Sequence, residues 1–208
     1  MINIETLQVG PLVTNCFLVA DQESKDYVVV DPSWDAPLIL EQAAARHWNL
    51  KAIWLTHAHF DHFGAVAGLI RRYPETPLAL HRLELPLYLD GGGAQAWGFP
   101  MESGPEPTLW LDVMEYLELG AHKFQVLFVP GHSPGHVAFY DQDSNILLGG
   151  DVLFQGGIGR TDLPGGDHDT LLASIRSQFL TLPDKTIVYP GHGNDTTIGD
   201  ERRSNPFL

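Results

Sequence analysis

Thr56-His57-Ala58-His59-Phe60-Asp61-His62 places three imidazoles and a carboxylate directly behind the apolar run Ala52-Ile53-Trp54-Leu55. A strand that ends in such a cluster offers nitrogen and oxygen donors on a rigid edge. Two apart in extended chain, His57 and His59 point the same way. Asp61 and His62 fall at the start of an expected helix, where their side chains turn toward a second position. Phe63, Val66, Ala67 and Ile70 then follow the i, i+3, i+4, i+7 spacing of a buried helix face. Gly64 and Gly68 on that helix allow close approach to a neighbour. The stretch reads as a metal site.

Three later clusters repeat one design of strand, glycine and donor. They are Val129-Pro130-Gly131-His132, Leu148-Gly149-Gly150-Asp151 and Tyr189-Pro190-Gly191-His192. Glycine before the donor permits a tight turn at a strand end and close approach to an ion. Each is weak alone; their recurrence behind apolar runs makes them one signal. Together the candidates are His57, His59, Asp61, His62, His132, Asp151 and His192. A structural zinc closes its shell with four ligands. This larger set suits two ions roughly 3.5–4 Å apart that share a carboxylate and a water. Nitrogen and oxygen donors without thiolate fit zinc first, with iron or manganese as the other divalent candidates. His136, closing Gly131-His132-Ser133-Pro134-Gly135-His136, is the best supporting residue behind the ligands. His47, His81, His122 and His168 read as surface or structural.

Outward from the site, Ile2–Gln8 and Leu12–Ala20 read as strands joined at Gly10-Pro11, and Tyr27–Asp31 as a third. Asp31 reads equally as a turn residue or as a group reaching the metal pocket. Cys16 reads as a small buried side chain. Ser33–His47 reads as a helix with Asp35 at its cap, Pro37 in its first turn and Leu38, Ile39 and Ala43 on its apolar face. Further strands are expected at Lys51–Leu55, Pro77–His81, Glu115–Leu119, Phe124–Val129, Val137–Asp141, Ile146–Leu148 and Thr186–Tyr189, and a helix from His168 to Leu180. Leu83–Thr108 is irregular and rich in turn residues, with Trp97 and Phe99. It reads as an insertion, either over the active-site mouth or as a loop whose aromatics dock into the core. The order suits two mixed sheets packed face to face with helices outside, donors collecting at one edge.

At 208 residues, 44% hydrophobic and 18% charged, the chain suits a single globular domain spanning 1–208. It has no apolar segment of membrane-spanning length. Its N-terminus lacks the pattern of a secretory signal, and the lone Cys16 excludes an intramolecular disulfide framework, so a cytoplasmic protein is expected. A net charge of −14 without a basic run excludes phosphate-backbone binding, so no nucleic-acid partner is expected. Oligomeric state is not encoded legibly.

With these motifs the sequence resembles the metallo-β-lactamase-fold superfamily over essentially its whole length. The resemblance implies an α+β fold, the αββα four-layer sandwich. It also implies that His57, His59 and His132 hold one metal and that Asp61, His62 and His192 hold the other, with Asp151 bridging. Zinc β-lactamases of this family typically have cysteine at the bridging position, so Asp151 disfavours antibiotic hydrolysis. Within the superfamily the chain is most similar to glyoxalase II, the hydroxyacylglutathione hydrolases, in their short bacterial form. Phe154–Arg160, Thr197–Glu201 and Asn205–Leu208 carry that likeness. Arg160 reads as ordering its loop through an ion pair. The basic residues that full-length members place beyond the Asn-Pro-Phe stretch do not follow here, so glutathione would be read by other residues, such as those in Leu83–Thr108.

The implied activity is hydrolysis of a small-molecule thioester, S-lactoylglutathione or a similar hydroxyacyl thioester, by a hydroxide held between the metals, with Asp61 orienting it. The persulfide dioxygenases are nearly as similar and share Gly159-Arg160-Thr161-Asp162. In that reading His57, His132 and Asp151 hold a single iron. A third reading is a metal-binding protein without turnover.

Overall fold

The computed structural model describes residues 1–112 and 115–208. The first half builds one six-stranded sheet from β1 (Ile2–Val9), β2 (Thr14–Asp21), β3 (Asp26–Val30), β4 (Asn49–Trp54), β5 (Leu78–Leu80) and β6 (Leu109–Trp110), in that spatial order. The hairpin β1–β2–β3 is antiparallel, and β3 to β6 pair in parallel. The second half builds another from β7 (Tyr116–Leu119), β8 (His122–Phe128), β9 (Val137–Asp141), β10 (Ile146–Gly150), β13 (Ile187–Pro190) and β14 (Thr196–Thr197). Its order is β14-β13-β10-β9-β8-β7. A small hairpin, β11 (Leu153–Phe154) with β12 (Gly157–Ile158), follows β10.

Burial on both faces explains why the central strands are apolar throughout rather than alternating. In β2 every residue is buried. Phe17 and Val19 face the second sheet, while Leu18 and Ala20 face the helices. Between the sheets, Trp54 packs against Phe124 and Phe139 with ring centroids 5.3 Å apart in each case. Outside the first sheet lie α1 (Ala36–Ala45), α2 (Phe60–Phe63) and α3 (Val66–Arg72), which contribute Ile39, Phe63 and Leu69 to a second core. Outside the other sheet, α5 (His168–Ser174) and α6 (Ile198–Ser204) supply Leu171 and Ile198 to a third. The result is the expected four-layer α/β/β/α arrangement.

Local departures have local causes. Asp35 caps α1 through Leu38 N–H as expected, with Pro in the first turn. The expected helix behind the histidine motif is broken into α2 and α3 at Gly64-Ala65, because this corner is pressed against the Ser33 carbonyl and the Trp34 ring and Ala65 N–H donates to Pro32 O instead. The expected helix from His168 becomes a π-turn over Ile175–Phe179 after α5. The short β6, β11, β12 and β14 and the helix α6 carry too few residues for periodicity to register. Among the described residues, no helix is long and apolar enough to cross a membrane.

Leu83–Thr108 contains α4 (Leu85–Leu89) and a short 3-10 turn over Ala94–Trp97. It docks on the core and also reaches the histidine motif. Phe99 stacks on Phe60 and meets Trp34 edge-on, at 5.5 and 5.9 Å between centroids, which docks the segment. Phe60 N–H donates to Gly92 O, which fastens the segment onto the histidine motif itself.

Candidate metal centre

Five of the seven donors follow strand ends and two sit in a helix. Beyond β4 come His57 and His59, beyond β8 His132, beyond β10 Asp151, and beyond β13 His192, while Asp61 and His62 sit in α2. Two backbone bonds stitch the sheets here: Val137 N–H donates to Thr56 O at 2.9 Å, and Asn15 N–H to Gly191 O at 2.7 Å. A bulge between Leu148 and Gly150 shifts the register against β13 and re-aims Asp151.

Six of the seven sequence candidates fall into two groups of three, linked by a further cluster of Asp31, His57 and His62. His57, His59 and His132 form one, and Asp61, His62 and His192 the other, their donor atoms within 4.8 Å of one another in each. Asp151 stands between them. Its Oδ1 lies 3.5 Å from His62 Nε2, and its Oδ2 lies 3.6 Å from both His132 Nε2 and His192 Nε2. His192 Nε2 is also 3.2 Å from Asp61 Oδ2.

Hydrogen bonds behind the imidazoles decide which nitrogen faces inward. His62 Nδ1–H donates to Asp31 Oδ2 at 3.0 Å, and His132 Nδ1–H to Arg160 O at 2.7 Å. Thr56 Oγ1 donates to Asp31 Oδ2, so it accepts from His57 Nδ1–H at 3.0 Å. In His57 and His132 Nε2 then carries a lone pair toward the centre, as it does in His62 once its second proton is displaced. This is the arrangement in which an outer partner fixes the tautomer of a metal-binding histidine. His57 Nε2, His62 Nε2 and Asp151 Oδ1 are buried without any hydrogen-bond partner among the described residues. Buried acceptors left unpaired are costly, and these atoms, spread over the two donor groups and the carboxylate beside them, fit bound cations.

The electrostatics agree. Burial, then neighbouring histidines, holds His57 well below the ordinary imidazole value and pushes His59 down to about 3, so both are neutral donors. Burial alone would raise the carboxyls of Asp61 and Asp151, but His62 and His192 outweigh it and keep both ionised. Burial would lower His62, yet Asp151, Asp61 and Asp31 hold it well above the ordinary value. Burial likewise opposes His192, which its bond to Asp61 and the charge of Asp151 raise. Metal-free, the centre therefore stores protons on His62 and His192.

Asp31, left open by the sequence, is a supporting group: it is buried at φ 49° and also accepts Thr56 N–H at 2.8 Å. His136 fulfils its expected supporting place, since its Nε2 accepts Asp151 N–H at 3.0 Å and its ring stacks on His57. Arg160 forms its expected ion pair, with Asp162. Cys16 is fully buried, and burial pushes its thiol far up. Sequence reasoning missed Glu84, Thr14 and Asn15. Glu84, fully buried, accepts Ala58 N–H at 2.9 Å and Gly135 N–H at 2.6 Å, which ties two donor-bearing loops together. Thr14 Oγ1 donates to Asp61 Oδ2 at 2.9 Å, and Asn15 holds the His192 turn through Pro190 O and Gly193 O. None carries a motif, because each acts through a backbone group or one hydroxyl distant in sequence.

The centre forms the floor of a cavity of about 620 Å³, with walls supplied by Leu12, by the 83–108 segment and by the turn after β10.

Comparison with known proteins agrees with this geometry. The family model described as the metallo-beta-lactamase superfamily matches residues 9–192, and the chain belongs to that superfamily. The chain is 40% identical over 208 residues to the hydroxyacylglutathione hydrolase GloC of Haemophilus influenzae, covering 99% of this chain and 98% of that protein. The crystal structure of BLEG-1, described as a B3 metallo-beta-lactamase, superposes with a TM-score of 0.91 at 39% identity, covering 99% of both chains. That of TTHA1623 in a di-iron-bound form gives a TM-score of 0.89 at 44% identity, covering 98% of this chain and all of the other. A glyoxalase II-like chain of the metallo-hydrolase class, using divalent metal, is thereby defined.

Proposed function

We propose that the protein hydrolyses a thioester of the hydroxyacyl kind, such as S-lactoylglutathione, at a centre of two divalent cations. His57, His59 and His132 would hold one cation, and Asp61, His62 and His192 the other, with Asp151 shared. Zinc, iron and manganese all suit these donors. The observation that carries the reading is Asp151, whose Oδ2 lies 3.6 Å from one nitrogen of each donor group, His132 Nε2 and His192 Nε2, while its Oδ1 lies 3.5 Å from the unpaired His62 Nε2.

Cations bound there supply hydroxide at neutral pH and polarise the scissile carbonyl. The chain supplies the rest. Asp61, ionised and steadied by Thr14, lies on the cavity floor as an acceptor for the proton of an attacking water. Phe60 and Trp97, 6.2 Å apart between centroids, cover the approach and limit bulk water. No serine or cysteine nucleophile is needed, and Cys16 is buried in the core between the first sheet and its helices.

Thiol release from S-lactoylglutathione by the metal-loaded protein tests this, beside a β-lactam and beside oxygen uptake with glutathione persulfide. Thioester cleavage that is lost in a folded Asp61→Ala variant is expected. Full activity in that variant, or turnover of only the β-lactam or the persulfide, would sink the reading. Binding of metal without any turnover would leave a metal-binding role.

A further inference from the structure

The cavity above the centre is hydrocarbon on both sides. Phe60, Leu87 and Trp97 form one wall; Phe154, Ile158 and Leu163 form the other. Trp97 remains 48% exposed although it lines a pocket.

Charge is scarce here. Outside the metal centre, only Asp90 and Arg160 among the lining residues are charged. Both guanidinium contacts of Arg160 go to Asp162, Nε at 2.7 Å and Nη2 at 2.8 Å. The segment 83–108, where residues that read glutathione are expected from the sequence, brings Glu84, Asp90, Glu102 and Glu106 and neither lysine nor arginine. A carboxylate arriving on the substrate meets no uncommitted cation in the lining and stands near Asp90. Glutathione's carboxylates therefore gain nothing here, whereas apolar substituents gain both walls.

We infer that this pocket selects its thioester through uncharged, apolar groups flanking the scissile bond, not through carboxylates on the thiol carrier. The inference rests on the thioesterase reading and narrows it. S-lactoylglutathione is then accepted at its reacting carbonyl, while acyl thioesters of an uncharged thiol are taken better.

Binding separates this claim from turnover. Calorimetry with the metal-loaded protein would compare non-hydrolysable thioethers: S-methyl- and S-hexyl-N-acetylcysteamine, and S-hexylglutathione. Each added methylene buried is worth up to about fourfold in affinity. The hexyl thioether should thus bind about tenfold or more tighter than the methyl one, and S-hexylglutathione no tighter than its uncharged counterpart. Trp97→Ala should shrink the hexyl-to-methyl ratio. A ratio near one, or clearly tighter binding of the glutathione conjugate, overturns the inference. Assayed in parallel, the acyl-N-acetylcysteamine esters show whether thioesters are cleaved at all. Their failure would remove the thioesterase reading, while the thioether affinities still decide the character of the pocket.

Discussion

Asp31 Oδ2 accepts His62 Nδ1–H at 3.0 Å, between residues 31 positions apart, and so fixes the lone pair of His62 Nε2 on the metal centre. The carboxylate also accepts both the amide and the hydroxyl of Thr56. Asp31→Asn keeps the shape but replaces one acceptor by a donor. Loss of such an outer partner typically lowers metal affinity about 10–100-fold. Competition titration against a chelator checks it; unchanged affinity would show that the imidazole is oriented by other means.

Glu84→Ala removes the acceptor of both Ala58 N–H and Gly135 N–H. Each buried donor left unpaired costs about 1–3 kcal/mol. Denaturant unfolding should show a loss of that order, with metal occupancy falling as the His57–His59 and His132–His136 loops loosen. A shift in stability below about 0.5 kcal/mol would mean that water replaces the carboxylate fully.

Gly191 precedes His192 at a point where no side chain fits. A Cβ there would press on Asp151 Oδ1 and come 2.7 Å from His62 Cε1. Gly191→Ala should therefore cost about 1–3 kcal/mol through overpacking, and it should weaken metal binding out of proportion to its effect on thermal stability. Metal content and melting temperature measured on one preparation separate the two effects.

The pH response of the metal-free protein has a defined sign. His57, His59 and His136 are held below the ordinary 6.5, so they favour folding as pH rises, and their effect is complete by about pH 7.5. His62 and His192 are held above 6.5, so their contribution is full below that pH and is lost as pH climbs through their raised values. Above about pH 7.5 the metal-free protein should lose stability. Bound cations displace those protons, so metal affinity should rise with pH over the same range. Thermal melts with and without metal measure both; a metal-free protein that grows more stable above pH 7.5 would contradict the assigned protonation.

Much of this centre was legible in the sequence because each donor follows a strand end behind glycine or within the histidine motif, and those signals are local. The sandwich was legible because strands buried on both faces, such as β2 and β3, are continuous apolar runs. Glu84 was not legible: it lies in a leucine-rich stretch and binds backbone amides, for which any spacing serves. The break between α2 and α3 was hidden because it depends on the Ser33 carbonyl and the Trp34 ring pressing on Gly64, a contact between distant segments. The 83–108 segment resisted assignment since its aromatics both dock on the core and line the cavity.

The most direct measurement is the metal content of protein purified without chelator, set against that of an Asp151→Ala variant. The carboxylate of Asp151 faces both donor groups, so two divalent ions per chain are expected in the wild type and a clear fall in the variant. One ion per chain in the wild type, unaltered by the substitution, would contradict a shared two-cation centre.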